Sequence, residues 1–440
     1  MDTLYARCAG IDVHKTNVVV CVRCGDRPGK VFEEVRTFAT MTRDLLALAD
    51  WLASHGVTHV AMESTGVYWK PVFNILEGGV QVILVNAEHI KQVPGRKTDV
   101  KDCQWIAQLL QHGLLKASFV PPAPIRELRD LTRQRTQLIQ ERSAAANRIQ
   151  KVLEDANIKL ASVATDVLGV SGWDMLEALI AGETDPAKLA DLARKRLREK
   201  IPALQLALQG RVTDHHRFLL RMHLDHIRHL EELISRLSVR IEEALAPFAQ
   251  AQEQLQTIPG ISQRVAETVL AEIGPHMEQF PSAGHLASWA GMCSGNNQSA
   301  GKRRSGRIVK GNRWLKRILV QAAWAASHTK GTYLAAQYRR LAKRRGRKRA
   351  LVAVGHTLLV IIYHLLKQGT TYAELGPDFL DRLEPERLTR PLVKRLEALG
   401  HKVTLEPGQA AGEVIFRAGT NFLSFPRKIA GFGLQKVSAS

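Results

Sequence analysis

Gly10-Ile-Asp12-Val-His14 and Val60-Ala-Met-Glu63-Ser-Thr-Gly66 decide how this chain of 440 residues is read. Each is an apolar run of strand length that carries one carboxylate. In a strand, successive side chains point to opposite faces, so Asp12 faces away from Ile11 and Val13. Asn17-Val-Val-Val-Cys-Val22 and Val31-Phe-Glu-Glu-Val-Arg-Thr-Phe38 are further β-branched runs separated by polar or turn-forming residues, which predicts a three-strand antiparallel start. Strands are also expected at 58–62 and 80–85, and helices at 43–54, 67–77 and 99–112. That order is an α/β layered domain.

Lys97-Thr-Asp99-Val-Lys-Asp102 opens the last of these helices. Its two acids are three residues apart, which places their Cβ atoms about 5–6 Å from each other on one face. Taken singly, Asp99 and Asp102 read as first-turn acids favoured by the helix dipole, and Glu63 as a strand-end residue. Asp12 is different, because a carboxylate in an apolar strand is costly unless paired or ligated. Four acids on strand ends and one helix start suit hard cations. Magnesium takes oxygen ligands, and paired ions stabilise both attacking and leaving oxygens in phosphoryl transfer. An actin-like kinase opens similarly but needs a glycine-rich phosphate loop, and Val13-His-Lys-Thr-Asn17 has no glycine.

Pro121-Pro-Ala-Pro124 punctuates the chain, and the period then changes. Leu131, Leu138, Ala145 and Val152 recur every seven residues, as do Leu220, Ile227, Ile234, Ile241 and Phe248. Sustained heptads predict a coiled-coil pair. The stretch between them, 161–210, reads as a helical insertion. His215, His216, His223, His226 and His229 have spacings that could suit a metal, but the register places His223 in the seam and the others around a solvated helix.

A second globular unit is expected from about 251 to 372. Leu255-Gln-Thr-Ile-Pro-Gly-Ile-Ser262 looks like a helix-hairpin-helix, whose turn presents backbone N–H groups to a nucleic-acid phosphate; a plain packing corner is the alternative. The Ser/Gly/Asn-rich stretch from Cys293 to Ser305 contains Ser294, Ser299 and Ser305 and leads into Lys302, Arg303, Arg304, Arg307, Lys310, Arg313, Lys316 and Arg317. A loop serine is usually a turn residue, but guanidinium groups can stabilise the charge that develops when a hydroxyl attacks a phosphodiester. Arg339, Arg340, Lys343, Arg344, Arg345, Arg347, Lys348 and Arg349 form a basic run suited to the phosphate backbone. The last stretch, 373–440, reads as helix at 380–399 with strands at 401–405 and 412–417, and carries no assigned chemistry.

Composition fits a nucleic-acid partner. Lys plus Arg number 62 against 42 Asp plus Glu, a net charge of +20, and such an excess points to a polyanion. Five scattered cysteines suit a reducing compartment, so the protein is read as cytoplasmic. Cys21-Val-Arg-Cys24 lacks the second pair a zinc site needs. The apolar stretch 351–366 is interrupted by His356 and His364 and is read as a core helix rather than a membrane span.

These motifs together resemble the DEDD transposases of the insertion-sequence family numbered one hundred and ten, over about residues 9–368. The likeness rests on Gly-Ile-Asp12-Val-His-Lys, Met-Glu63-Ser-Thr-Gly, Lys-Thr-Asp99-Val-Lys-Asp102, Ile258-Pro-Gly-Ile, Gln298-Ser-Ala-Gly-Lys302 and Lys310-Gly-Asn-Arg-Trp-Leu315. It implies an RNase H-like (RuvC-like) domain at 1–118 with Asp12, Glu63, Asp99 and Asp102 as a magnesium-binding catalytic tetrad. It implies a dimerising coiled coil at 119–250 and a serine transposase domain at 251–372, with 373–440 an extension. Ser299 matches the family's nucleophile. The resemblance further implies DNA and a structured guide RNA as partners, and a homodimer or a tetramer in the synaptic complex. A metal-only nuclease of the Holliday-junction type and a non-catalytic architectural protein are the competing readings.

Overall fold

The computed structural model describes residues 3–27, 30–86, 102–293, 297–299, 302–305, 308–383 and 385–405. Strands β1 (Arg7–Val13), β2 (Asn17–Arg27), β3 (Lys30–Ala39), β4 (His59–Glu63) and β5 (Gln81–Val85) form one sheet in the order β3-β2-β1-β4-β5. The first three pair antiparallel, whereas β1–β4 and β4–β5 are parallel. Helices α1 (Thr42–Ser54) and α2 (Trp69–Leu76) cover one face. Leu45, Leu48 and Leu52 and then Val72 and Leu76 pack there on Ile11, Val13, Val20, Val60 and Met62. The opposite face carries α3 (Asp102–Gln111), whose Cys103, Ile106, Ala107 and Leu110 meet Cys8, Ala61, Val85 and Cys21. The period-2 pattern of β1 thus sorts its residues as expected, Ile11 and Val13 to one layer and Cys8, Gly10 and Asp12 to the other.

Cys21 and Cys24 join the cores on opposite faces of the sheet, and all five cysteines are free thiols. Burial pushes the Cys8 thiol up to about 12, and it raises Cys21 and Cys293 as well.

The heptads build two long helices, α4 (Ala123–Asp155) and α9 (Asp214–Leu245), which pack on each other. Leu153 and Ile149 share a core with Leu220 and Leu224, Arg142 donates to Glu231 at 2.8 Å, and Arg135 lies 3.5 Å from Ser238. The pair is therefore antiparallel, and it is made within one chain. This changes the expected role of the seam, since Ile227 is fully buried against α4 of the same chain. Its alternation of apolar and polar residues says that a helix needs a partner, not where the partner comes from. His223 stands beside the seam rather than in it, half-buried, with its pKa lowered by burial and by Arg148 and His226. Between the long helices lie α5 (Leu160–Val163), α6 (Val170–Ile180), α7 (Pro186–Asp191) and α8 (Ile201–Ala207), which cap the end of the pair around Met175, Leu176, Leu189 and Leu204.

Helices α10 (Ala249–Gln256), α11 (Gln263–Ile273), α12 (Ala283–Trp289), α13 (Arg313–His328), α14 (Tyr333–Arg345) and α15 (Arg347–Gln368) form the next layer, with the hairpin β6 (Asn297–Ser299) and β7 (Lys302–Ser305) between α12 and α13. In α11 every residue from Val265 to Ile273 is buried, Glu267 and Glu272 included. Glu267 accepts from Arg135 of α4 at 2.5 Å, a pair in which both side chains are about 95% covered. By length and composition α15 could cross a membrane, contrary to the shorter stretch read from sequence, but 56% of its apolar window is buried inside the protein. The described residues divide into two compact units, one up to Pro377 and one from Asp378 on. In the second, α16 (Phe379–Leu383) and α17 (Pro385–Ala398) bear out the expected helix. Residues 401–405 are not a strand: the His401 amide donates back to the Leu396 carbonyl at the end of α17. The strand expected at 412–417 lies outside the described residues.

Candidate active site and nucleic-acid interface

Three of the four acids are brought to one end of the sheet. Parallel pairing sets Ile11 beside Met62, so the next residues, Asp12, the last but one of β1, and Glu63, the last of β4, stand side by side on adjacent strands. Both lie on the α3 face, because each is two residues beyond a residue packed there, Gly10 and Ala61. Helix α3 runs antiparallel to β1. Its last residue, Gln111, accepts through its carbonyl from the amides of Leu4 and Tyr5 just before β1, and Cys8 Sγ lies 3.7 Å from the Ala107 carbonyl. The helix N-terminus, Asp102, therefore points towards the strand end that bears Asp12.

Gly10 is what allows this approach. A Cβ there would lie 2.2 Å from the Cys103 carbonyl oxygen and 2.4 Å from the Ala107 nitrogen, so any side chain would push α3 off the sheet. Asp12 is 24% exposed and pairs with His14, Nε2 to Oδ2 at 3.1 Å. Glu63 is half-buried and Asp102 exposed. Asp99 lies outside the described residues. Among those described, no three His, Cys, Asp or Glu side chains stand together at metal-ligand spacing. The three acids share an end of the sheet and supply hard oxygen donors, the chemistry that magnesium takes.

The Ser299 segment is a hairpin, not an irregular loop. Its register pairs Ser299 with Lys302 and Gln298 with Arg303, and the serine is the last residue of β6. Ser294 and Arg307 lie outside the described residues. The base of the excursion is closed by backbone contact, since a Cβ on Gly311 would lie 2.4 Å from the nitrogen of Gly291. Lys316 Nζ braces it by donating to the Val309 carbonyl at 3.2 Å. Asn312 then caps α13, its Oδ1 accepting from the amides of Trp314 and Leu315 at 3.0 and 3.1 Å. Lys310, Arg313, Lys316 and Arg317, with Val320 and Gln321, line a cleft of about 630 Å³ at that helix start. That Val320 and Gln321 join this lining was not legible from composition.

The basic run is divided between two helices. Arg339, Arg340, Lys343, Arg344 and Arg345 end α14, where cations suit the dipole; Gly346 turns the chain at φ +80°; and Arg347, Lys348 and Arg349 begin α15. All but Arg340 are exposed. Three cations at a helix N-terminus oppose its dipole, and an anion set among them relieves that opposition. The Pro259-Gly260 turn is a helix-turn-helix corner whose Gly260 abuts the backbone of α13, at Ala322 O and Ala326 N. That side of the turn is a packing surface.

Comparison with known proteins agrees with the motifs. Residues 9–158 match the DEDD_Tnp_IS110 family model, described as transposase, and residues 252–339 match the "Transposase IS116/IS110/IS902 family"; together they span more than half of the chain. A "Probable family 20 transposase" of Pseudomonas aeruginosa is 26% identical over 320 residues, 71% of this chain and 85% of that protein. The "Transposase for insertion sequence element IS1111A" of Coxiella burnetii is 24% identical over 335 residues, 73% of this chain and 81% of its own. The "Pilin gene-inverting protein" of Moraxella bovis is 30% identical over 156 residues, 34% of this chain and 48% of its own.

Proposed function

Because the chain belongs to the IS116/IS110/IS902 family of transposases and is a DNA-recombining enzyme, we propose that it exchanges DNA strands of a mobile element with Ser299 as nucleophile and an acidic magnesium site as its second catalytic centre. The observation that carries this reading is the meeting of Asp12, Glu63 and the start of α3 at one end of the sheet. The strand order β3-β2-β1-β4-β5, an antiparallel meander continued by two parallel strands, supports an RNase H-like fold for residues 1–118. Residues 119–250 serve as the helical arm and 251–372 as the serine transposase domain, with 373–440 an extension.

Asp12, Glu63, Asp99 and Asp102 are the residues that would hold magnesium, which supplies Lewis-acid stabilisation of phosphodiester oxygens. His14 holds Asp12 at the strand end. The Ser299 hydroxyl attacks the scissile phosphorus and displaces a deoxyribose oxygen, leaving a serine–DNA ester that the incoming strand's hydroxyl later reverses. Lys302, Arg303, Arg304, Lys310 and Arg313 offset the charge on the phosphate, and the run from Arg339 to Arg349 holds the backbone of DNA or of a structured guide RNA. RNA pairing would read sequence while the protein reads shape. The reading includes a dimer or tetramer acting in the cytoplasm, where free thiols persist.

Asp12→Asn and Asp102→Asn test the acidic centre. Either change is expected to abolish strand cleavage and exchange on DNA carrying the element's ends, while DNA and RNA affinity stay near wild type, because lysines and arginines supply the binding charge. Wild-type exchange by either variant with magnesium as the sole divalent metal would refute the assignment.

A further inference from the structure

Glu272 is a fully buried carboxylate on α11. A buried acid must be paired, and this one is paired three times. Arg133 of α4 grips it with two parallel bonds, Nε to Oε1 at 2.7 Å and Nη2 to Oε2 at 2.8 Å. Arg129 approaches Oε2 at 3.5 Å and donates to the main-chain oxygens of Ala271 and Glu272 at 3.1 and 2.6 Å. Asn312 completes the set by donating from Nδ2 to Oε2 at 2.5 Å. Above it, the Arg133 guanidinium lies over the Trp314 ring and that of Arg129 over Phe119. Burial lowers the Arg129 pKa to about 10.

Asn312 therefore has two tasks carried by the two ends of one amide. Oδ1 caps α13 and Nδ2 ties the cap to Glu272. Its chain neighbour Gly311 closes the base of the hairpin that bears Ser299. The ion cluster thus joins the long helix α4 to the root of the serine hairpin and to the basic first turn of α13. Packing alone does not require charge here, since apolar residues of similar volume stabilise as well or better.

We propose that Glu272 and Asn312 are a positioning pair for strand exchange: Glu272, held by Arg129 and Arg133, fixes the Asn312 cap and so aims the serine hairpin and the basic start of α13. This deepens the serine reading above and rests on it. A cap needs only an acceptor at position 312, whereas the pair needs a donor there as well. Asn312→Ser keeps the cap but withdraws the amide donor, leaving only a shorter hydroxyl set back from Glu272; Asn312→Asp keeps the cap and sets a second carboxylate against Glu272. The double change Glu272→Gln with Asn312→Asp reverses donor and acceptor between the two positions and keeps an acceptor for Arg133 Nε, while the amide nitrogen in place of Oε2 gives up the Arg133 Nη2 bond.

The test measures exchange rate and half-saturating concentration on DNA carrying the element's ends, in chains that keep Ser299. Misplacement by about 1 Å can cost ~100-fold in rate, so Asn312→Asp is expected to slow exchange about that much with half-saturation unchanged, and Asn312→Ser by about 10-fold. The double variant is expected to recover to within about tenfold of wild type. Wild-type rates in both single variants, or a double variant no faster than Asn312→Asp, would overturn the pair. Failure of the serine reading would show separately, as full exchange by Ser299→Ala.

Discussion

Gly10→Ala is the smallest change that tests how the acidic end is built. The added Cβ would sit 2.2 Å from the Cys103 carbonyl oxygen and 2.4 Å from the Ala107 nitrogen. Carbon meets such atoms comfortably only beyond about 3.3 Å, so α3 must retreat by roughly 1 Å. Because both obstructing atoms are backbone, no rotamer change relieves the clash, and overpacking of this kind costs about 1–3 kcal/mol. The same retreat draws Asp102 away from Asp12, and an error of about 1 Å in a catalytic array can cost ~100-fold in rate. The expected result is a folded protein of lower denaturant midpoint, near-normal DNA affinity and magnesium-dependent cleavage down by roughly two orders of magnitude. Gly79→Ala is the control, since a Cβ there meets nothing closer than the Leu76 carbonyl at 3.8 Å. If Gly10→Ala matched wild type in both midpoint and cleavage, the close approach of α3 to β1 would be wrong.

Other consequences follow from burial. Ile227→Asp puts a carboxylate into the fully covered face between α9 and α4 and should lower stability by more than about 3 kcal/mol in urea titration, whereas Ile234→Asp, at a half-buried position, should cost clearly less; equal costs would contradict the seam. Arg135→Ala strands Glu267 and should cost about 3–5 kcal/mol by the same method. A loss below 1 kcal/mol would mean that water reaches that pair. Cys8, with its pKa near 12, and Cys21 should stay unlabelled by iodoacetamide at pH 8 in the folded protein, because thiolate is the reacting form; peptide mass spectrometry showing either labelled first would refute their burial.

Much of the sheet was legible because strands report themselves by alternation. Ile11, Asp12 and Val13 sort to two faces, and β1 to β5 fall where β-branched runs predict them. Gly10 was silent, since a missing side chain shows its purpose only against the helix that crosses it. The heptads of α4 and α9 were equally plain, yet the same repeat serves a partner in the chain or in a second copy. Nothing in the sequence marks Arg129, Arg133 and Arg135 of α4, or Glu267 and Glu272 of α11, as partners. Their pairing across 132 to 143 residues of sequence is a property of the tertiary fold alone. The Ser299 segment, rich in Ser, Gly and Asn, reads as a turn and folds as a hairpin because its ends are fastened by Gly291, Gly311 and Asn312.

The most direct test of the central claim is to trap the protein on DNA. Protein, together with any RNA that co-purifies, is incubated with magnesium and labelled DNA carrying the element's ends, denatured, separated by electrophoresis and mapped by peptide sequencing. The account predicts a covalent band that maps to Ser299, is absent in Ser299→Ala, and persists in Ser294→Ala and Ser305→Ala. An adduct mapped to Ser294 or Ser305, or strand exchange at the wild-type rate by Ser299→Ala, would contradict it.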